Sequence, residues 1–219
     1  MLKRVSKIMV MVAVAIVAHG APYGAEASTI QLPRSGQTGC WNTATNASTP
    51  CSTTSGQDGN ILAGKPWPTP RFTDNGNGSV TDNLTGLIWL KNAGCFDTVG
   101  GIAKGTSAAT SQLTWPNALT WSNSLKGDNS ACSLNDGSVA GDWRLPNIAE
   151  LESLIDLQNA NPALPTGHPF SVVQSNWYWS SSTYVNSTDS AWIVSMDGGG
   201  SDGGNKGNNI YVWPVRAGQ

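Results

Sequence analysis

The stretch Gly141-Asp142-Trp143-Arg144-Leu145-Pro146-Asn147-Ile148-Ala149-Glu150-Leu151 decides the fold of this chain. Pro146 ends a short aromatic segment, and Asn147 can cap a helix because Glu150, three positions later, completes a capping-box spacing. Apolar residues then recur at helical spacing, which predicts a helix over residues 148–157 with one face in the core. These apolar residues are Ile148, Leu151, Leu154 and Ile155.

Other elements flank this helix. A Gly/Asn turn between Phe72 and Val80 predicts a hairpin, and Leu87–Leu90 is expected to form a buried strand. Thr114 can cap a further helix that runs to about Leu125 and tolerates a proline in its first turn. Two later strands are predicted over residues 191–196 and 210–216. Strands, two helices and then more short strands, with no βαβ repeat, predict an α+β fold.

Residues 1–27 are interpreted as a secretory signal peptide. Three basic residues precede an apolar run over residues 8–18, and Ala25-Glu26-Ala27 supplies a small-residue cleavage site. The apolar run is too short to span a bilayer as a mature helix. An uncleaved anchor is the alternative interpretation. The mature part is then expected outside the cytoplasm, without a membrane span.

Charge and cysteine content limit the classes of function that this protein can have. The exported part keeps 9 basic and 13 acidic residues, so it lacks the basic footprint of a nucleic-acid binder. An even number of cysteines outside the cytoplasm suggests two disulfides. Three pairings are open, and local order favours Cys40 with Cys51 and Cys95 with Cys132. The tryptophans, ten in all, are expected to supply much of the buried apolar area.

Residues 28–70 show little periodic pattern and are interpreted as an irregular N-terminal segment that packs on, or leads into, a domain over residues 71–219. A flexible stalk is the alternative. Pro66-Trp67-Pro68-Thr69-Pro70, near the end of this segment, is expected to be extended and stiff.

Several motifs in the same order resemble the bacterial DUF1566 family, also called the Lcl C-terminal domain. They are RFTDNGNGSVTDNLTGLIWLKNAGC from residue 71, GDWRLPNIAELESLID from residue 141, HPF with WYWSSSTY from residue 168, and YVWPVRAG from residue 211. The resemblance covers about residues 60–218. It implies a C-type-lectin-like fold, related to formylglycine-generating enzymes, in which two helices pack on a twisted, mostly antiparallel sheet with long loops.

The resemblance also implies a function. Some family members bind ligands or act in adhesion, and in some the C-terminal sheet surface is diversified. A non-catalytic module that recognises an extracellular glycan or protein is therefore expected, and its oligomeric state is left open. Because the family is bacterial, the resemblance also implies that the module is secreted or lies at the cell surface or in the periplasm of a bacterium. The face is predicted from two polar or aromatic segments, Ser180–Asn186 and Asp197–Asn209. The predicted ligand contacts are Trp177, Tyr178, Trp179, Tyr184, Asn186, Asp197, Asp202, Asn205, Lys206 and Asn208.

Two features of this prediction have plain structural alternatives. The tryptophans of the Trp177–Trp179 segment can equally belong to the core. The Asp197–Asn209 tract can equally be a long, disordered hairpin tip. Arg144 and Arg216, each beside a tryptophan and a proline, are expected to pair with acids such as Asp142 rather than hold an anionic ligand.

An enzyme of the cell envelope, a hydrolase or modifying enzyme, is the main alternative function. It would need His168, the only histidine after the signal peptide, together with carboxylates such as Asp156. No G-x-S-x-G motif is present, and Glu152 and Asp156 are expected to lie on one solvated helix face. A structural component of the envelope is the third candidate.

No cofactor is expected, except that calcium binding at the first hairpin is left open. Its turn carries the oxygen-bearing side chains Asp74, Asn75, Asn77 and Asp82. Ordinary turn chemistry is the favoured interpretation, because the spacing departs from a calcium-binding loop: Val80 stands where that loop needs glycine.

Overall fold

A computed structural model describes residues 32–52 and 56–218, and these residues belong to one compact unit. The predicted signal peptide, residues 1–27, lies outside the described residues. The first elements are two short strands, β1 (Cys40–Trp41) and β2 (Ser48–Thr49), and the one-turn helix α1 (Asp58–Ile61). Within the described ranges, no helix combines the length and the apolar character needed to cross a bilayer.

The predicted hairpin and helices form in the middle of the chain. The hairpin consists of β3 (Phe72–Asp74) and β4 (Ser79–Asp82), and β5 (Ile88–Leu90) follows it. A 3₁₀ turn (Ala108–Thr110) and β6 (Gln112–Leu113) precede α2 (Trp115–Ser124), close to its predicted bounds. The helix α3 (Ile148–Glu152) begins at its predicted position.

The capping box that starts α3 is confirmed. The Asn147 side chain accepts a hydrogen bond from the Glu150 amide, and the Glu150 carboxylate accepts one from the Asn147 amide at 2.8 Å. The predicted continuation to Leu157 is wrong, because the chain tightens into short turns after Glu152 and the Asp156 amide then bonds to the Ala163 carbonyl. The apolar face nevertheless points inward: Leu151 and Leu154 are fully buried.

The C-terminal part contains five strands. They are β7 (Trp177–Thr183), β8 (Ser190–Ser195), β9 (Ser201–Asn205), β10 (Ile210–Tyr211) and β11 (Val215–Arg216). One sheet has the order β6-β10-β7-β8-β9, and a second has the order β11-β5-β4-β3. In these two sheets the strands pair antiparallel except for β10 with β7. The fold is therefore mixed α and β, with few helices and mostly sheet.

The end of the chain connects the two sheets. A single strand was expected over residues 210–216, but Tyr211 pairs with β7 whereas Val215 pairs with β5. Pro214 lies between them and has no amide hydrogen to continue a ladder. Its carbonyl accepts a hydrogen bond from Leu90, and the Trp213 indole donates to the Leu90 carbonyl at 2.8 Å.

Tryptophans fill the core, as the composition predicts. Five of the ten are fully buried: Trp89, Trp121, Trp143, Trp179 and Trp213. Trp89 and Trp213 meet edge to face with ring centroids 5.8 Å apart, which is a favourable aromatic geometry.

Both favoured disulfides are confirmed, Cys40 with Cys51 and Cys95 with Cys132. The first lies in the N-terminal segment, which contacts the rest of the unit through backbone groups. The Leu157 amide donates to the Ser35 carbonyl at 3.0 Å, and the Gly39 amide donates to the Gln158 side chain at 2.8 Å.

Candidate functional site

The residues predicted to contact a ligand are divided between two ends of the β7–β8 hairpin. Trp177 pairs with Ser195 at one end, next to Asp197. Tyr184 is at the other end, where its amide donates to the Ser190 carbonyl. Asn186, Asn205, Lys206 and Asn208 also belong to this second end, through the two turns that flank β8 and β9.

Tyr178 and Trp179 lie inside the protein, so their prediction as ligand contacts is wrong. Both are fully buried, because β7 is covered on both faces. The Tyr178 ring packs against Tyr211 and Trp213, and the Trp179 indole donates to the Leu113 carbonyl at 2.9 Å. Burial also raises the pKa of the Tyr178 hydroxyl. Of the two tryptophans in this segment, Trp179 belongs to the core, whereas Trp177 is half-buried.

The tract over residues 197–209 is neither a long loop nor a disordered tip. Its centre forms β9, which pairs with β8 from Ser190 opposite Asn205 to Val194 opposite Ser201. Asp202 is exposed on this edge strand. Two turns therefore replace the expected loop, one on each side of β9.

We use the name hairpin-tip face for the surface formed by the β7–β8 turn, the β9–β10 turn and the adjacent half-buried ring of Trp192. Its exposed or half-buried members are Tyr184, Val185, Asn186, Trp192, Asn205, Lys206 and Asn208. Tyr184 and Trp192 meet edge to face with centroids 4.8 Å apart. Gly203 lies beneath them, since a Cβ there would approach the Tyr184 ring to 3.3 Å. Val185 is 81% exposed.

Lys206 connects the two turns of this face. Its ammonium group donates to the Thr188 carbonyl at 2.9 Å and to the Thr183 hydroxyl at 3.1 Å. It also lies 4.3 Å from the centre of the Trp115 ring, a cation–π distance. These contacts use much of the hydrogen-bonding capacity of Lys206, which therefore acts first as a brace.

Asp189 provides a second connection. Its carboxylate accepts hydrogen bonds from the Ser187 hydroxyl at 2.6 Å, from the Ser190 hydroxyl at 3.2 Å and from the Asn205 side chain at 3.3 Å. The hydroxyl donors Ser187 and then Ser190 lower the pKa of Asp189. The two turns are thus held together by directed polar contacts, which favour a preorganised surface.

The first hairpin uses its carboxylates for ion pairs. Asp82, one of the predicted metal ligands, is fully buried and accepts two hydrogen bonds from Arg71, both at 2.9 Å. Asp74 lies 2.6 Å from the Lys91 ammonium, whose hydrogen bond lowers the pKa of Asp74. Asn75 and Asn77 bond to Ser79 within the turn. These contacts are those of ordinary turn chemistry.

One cluster of metal-ligand types occurs elsewhere in the described residues, formed by Cys95, Asp97 and Cys132. Both sulfur atoms are joined in a disulfide, and a metal needs a thiolate. Asp97 instead accepts a hydrogen bond from the Cys132 amide at 2.6 Å. The cluster is therefore a structural connection.

The catalytic alternative depends on His168, which has no carboxylate hydrogen-bonded to it in the described residues. Burial lowers the pKa of its imidazole, whereas an adjacent carboxylate would raise it. Asp156 is buried rather than solvated as predicted, and it accepts hydrogen bonds from the Gln158 amide and the Asn159 side chain. Asp156 therefore has a local structural role.

The two arginines beside tryptophans form ion pairs, as expected, but with other acids than Asp142. Arg144 binds Glu150 through two nitrogens, at 2.6 and 2.7 Å. Arg216 lies 3.0 Å from Asp136.

Sequence reasoning missed a cavity of about 380 Å³ between residues 67–72 and 165–169. Arg71 and His168 both line it. The sequence feature that corresponds to this cavity is a pair of proline-rich segments, residues 66–70 and 162–169. Arg71 follows the first segment, and His168 lies near the end of the second. Nothing in the sequence shows that the two segments meet.

The chain matches one family model. The model, described as the Lcl C-terminal domain, covers residues 78–216, so it includes the hairpin-tip face and begins after β3. Neither a curated protein nor a solved structure matches the chain.

Proposed function

The chain belongs to the Lcl C-terminal domain family, and from this premise we propose that it is a non-catalytic module that binds an extracellular glycan or protein through the hairpin-tip face. The observation that carries the proposal is a group of half-buried aromatic rings and an exposed apolar side chain at this end of the sheet. Tyr184 and Trp192 form a half-buried aromatic pair, and Val185 beside them is 81% exposed. Aromatic anchors of this kind dominate the energetics of binding surfaces.

The surroundings of the aromatic pair support the same role. Asparagine, serine and threonine side chains occupy the adjacent turns and offer adaptable hydrogen bonds, as they do in antibody loops. Lys206 and Asp189 hold the two turns together, so little conformational entropy is lost when a ligand binds. The family resemblance adds that this surface is of the kind diversified in some members.

The C-type-lectin-like fold and export from a bacterial cell are part of the proposal. The described residues contain two helices of more than one turn beside mostly antiparallel sheets, which is compatible with that fold. Two disulfides support an oxidising compartment such as the periplasm or the cell surface.

Binding of the exported chain to arrays of glycans and of extracellular proteins tests the proposal. Val185→Asn and Tyr184→Ala are each expected to weaken binding about tenfold or more, because they remove apolar contact area at the centre of the face. Val139→Asn is the matched control, since Val139 is also exposed, at 63%, but lies outside the face. Equal binding by Val185→Asn and the control would contradict the proposal, as would an absence of binding on both arrays.

A further inference from the structure

A cavity of about 240 Å³, which we call the N-terminal cavity, is formed where the N-terminal segment meets the end of α3. Residues 33–35 and Trp67 line it, together with Glu152, Ile155 and Leu157. Its volume lies just below the usual range for small-ligand sites, roughly 300–1,000 Å³, which indicates a small ligand. The family match begins at residue 78, so part of this lining comes from outside the matched region.

Two side chains of opposite charge line this cavity and have no partner. In the described residues, neither the Arg34 guanidinium nor the Glu152 carboxylate forms an ion pair or a hydrogen bond. The two groups are therefore too far apart to pair with each other. Glu152 is exposed, and of the Arg34 nitrogens only Nε is shut off from solvent. Both charges can thus be reached by a ligand in the cavity.

The other polar side chains of the lining are already paired. The Ser35 hydroxyl donates to the Asp58 carboxylate, and the Ser153 hydroxyl donates to a carbonyl of α3 at 2.7 Å. The Trp67 indole donates to the Arg34 carbonyl at 2.9 Å. Directed polar recognition is therefore left to one positive and one negative group.

A zwitterion matches this pair of charges. An anion that is attracted by Arg34 is repelled by Glu152, and a cation meets the reverse. An α-amino acid carries a carboxylate and an ammonium group on one carbon, so it can occupy the space between the two side chains and bind both. Each contact is then a charge-assisted hydrogen bond, which is stronger than a neutral one.

The rest of the lining is apolar and fits an apolar side chain. Trp67 and Leu84 are half-buried, and Leu157 is 51% exposed. A ligand side chain that covers these residues removes apolar surface from water, which favours binding.

Backbone hydrogen bonds hold the walls in place without a ligand. The Arg34 amide donates to the Lys65 carbonyl at 3.1 Å, which connects the two strands of chain that carry Arg34 and Trp67. The Leu157 amide donates to the Ser35 carbonyl at 3.0 Å, which connects the N-terminal segment to the chain after α3. Little ordering of the protein is then needed when a ligand binds.

We propose that the N-terminal cavity binds a free α-amino acid with an apolar side chain. The carboxylate of the ligand pairs with the terminal nitrogens of Arg34, and its ammonium group pairs with Glu152. The side chain of the ligand lies against Trp67 and Leu157. This site is separate from the hairpin-tip face, and neither proposal depends on the other.

Calorimetric titration of the exported chain with L-leucine tests this site. Two matched ligands keep the leucine side chain and lack one charge each: 4-methylpentanoate has no ammonium group, and 3-methylbutylamine has no carboxylate. Glycine keeps both charges and lacks the side chain. We expect L-leucine to bind and each of the three other compounds to bind at least about tenfold more weakly, because each loses one of the contacts.

Two variants reverse the preference for charge. Glu152→Gln should weaken binding of L-leucine about tenfold and strengthen binding of 4-methylpentanoate, because the repulsion of the carboxylate is removed. Arg34→Gln should likewise weaken binding of L-leucine and strengthen binding of 3-methylbutylamine. Asp202→Asn is the matched control, since it removes an exposed acid outside the cavity and should leave every affinity unchanged. Tyr184→Ala, on the hairpin-tip face, should also leave the affinity for L-leucine unchanged.

Near-ultraviolet circular dichroism spectra like that of the wild type establish that the variants are folded. The proposal is overturned if L-leucine gives no heat of binding, if either ligand with a single charge binds equally well, or if folded Glu152→Gln binds L-leucine like the wild type. N-acetyl-leucine amide, which has the side chain and neither charge, is the last probe. Its preferential binding would overturn the proposal in favour of a pocket for a peptide side chain.

Discussion

Replacement of the buried Lys104 by methionine should change how the stability of this protein depends on pH. The Lys104 side chain is fully buried, with its ammonium 3.0 Å from the Val212 carbonyl and 4.2 Å from the centre of the Trp121 ring. Burial lowers the pKa of Lys104 to about 7, although the charge of Asp97 opposes the shift. Methionine has a similar length and no charge.

The magnitude follows from proton linkage. An unfolded lysine has a pKa of about 10.4, so between about pH 7 and pH 10 the unfolded state holds a proton that the native state lacks. The stability of the wild type therefore rises with pH in this window, by at most about 1.4 kcal/mol per pH unit. Between pH 7 and pH 9.5, Lys104 alone contributes a rise of about 3 kcal/mol. Methionine in its place contributes none.

Urea unfolding followed by tryptophan fluorescence, at several pH values from 7 to 9.5, measures this difference. Lys104→Met should gain stability relative to the wild type at pH 7 and lose that advantage as the pH rises, because the wild-type amine becomes neutral in both states. At every pH the variant leaves the Val212 carbonyl without its donor, which costs about 1–3 kcal/mol, so the net advantage of the variant is confined to the lower part of this pH range. Lys126→Met, at a lysine that is 53% exposed, is the control. Parallel stability curves for the wild type and Lys104→Met would refute the reasoning.

Three further predictions concern the ion pair, the disulfides and calcium. Asp82→Asn leaves the buried charge of Arg71 without its partner, so the free energy of unfolding should fall by about 3–5 kcal/mol; a fall below about 1 kcal/mol in urea unfolding would contradict this. Replacement of both cysteines by alanine should lower the free energy of unfolding by about 4 kcal/mol for the Cys95–Cys132 disulfide and by about 3 kcal/mol for the Cys40–Cys51 disulfide. The first loss is larger because that disulfide closes a longer loop, 37 residues against 11. The reverse order in denaturant melts would argue against loop entropy as the cause. Since Asp74 and Asp82 are already paired with cations, calcium and a chelator should give the same melting temperature, and a calcium-dependent rise would restore the metal site.

The amino-acid sequence by itself determined the features that depend on residues close together in the chain. Asn147 and Glu150 predicted the start of a helix correctly, because both partners of a capping box lie within one turn. The assumption that each cysteine pairs with its neighbour in chain order also gave the correct disulfides. The Gly/Asn turn of the first hairpin was also predictable, since its conformation is set within a few residues. The family motifs extended this knowledge to the order of elements over residues 78–216.

Only the tertiary structure decided which side chains reach a surface and which meet a partner. Alternation along β7 cannot show that both faces of the strand are covered, because Tyr211 and Trp213, which cover Tyr178, come from more than thirty residues away. The sequence also cannot show the role of Asp82. Its carboxylate is of a type that can bind a metal, but in the structure it pairs with Arg71. Trp67 and His168 line one cavity although about a hundred residues separate them in sequence. Burial and charge pairing depend on contacts between residues distant in the chain, and those contacts exist only once the sheets and the N-terminal segment have packed together.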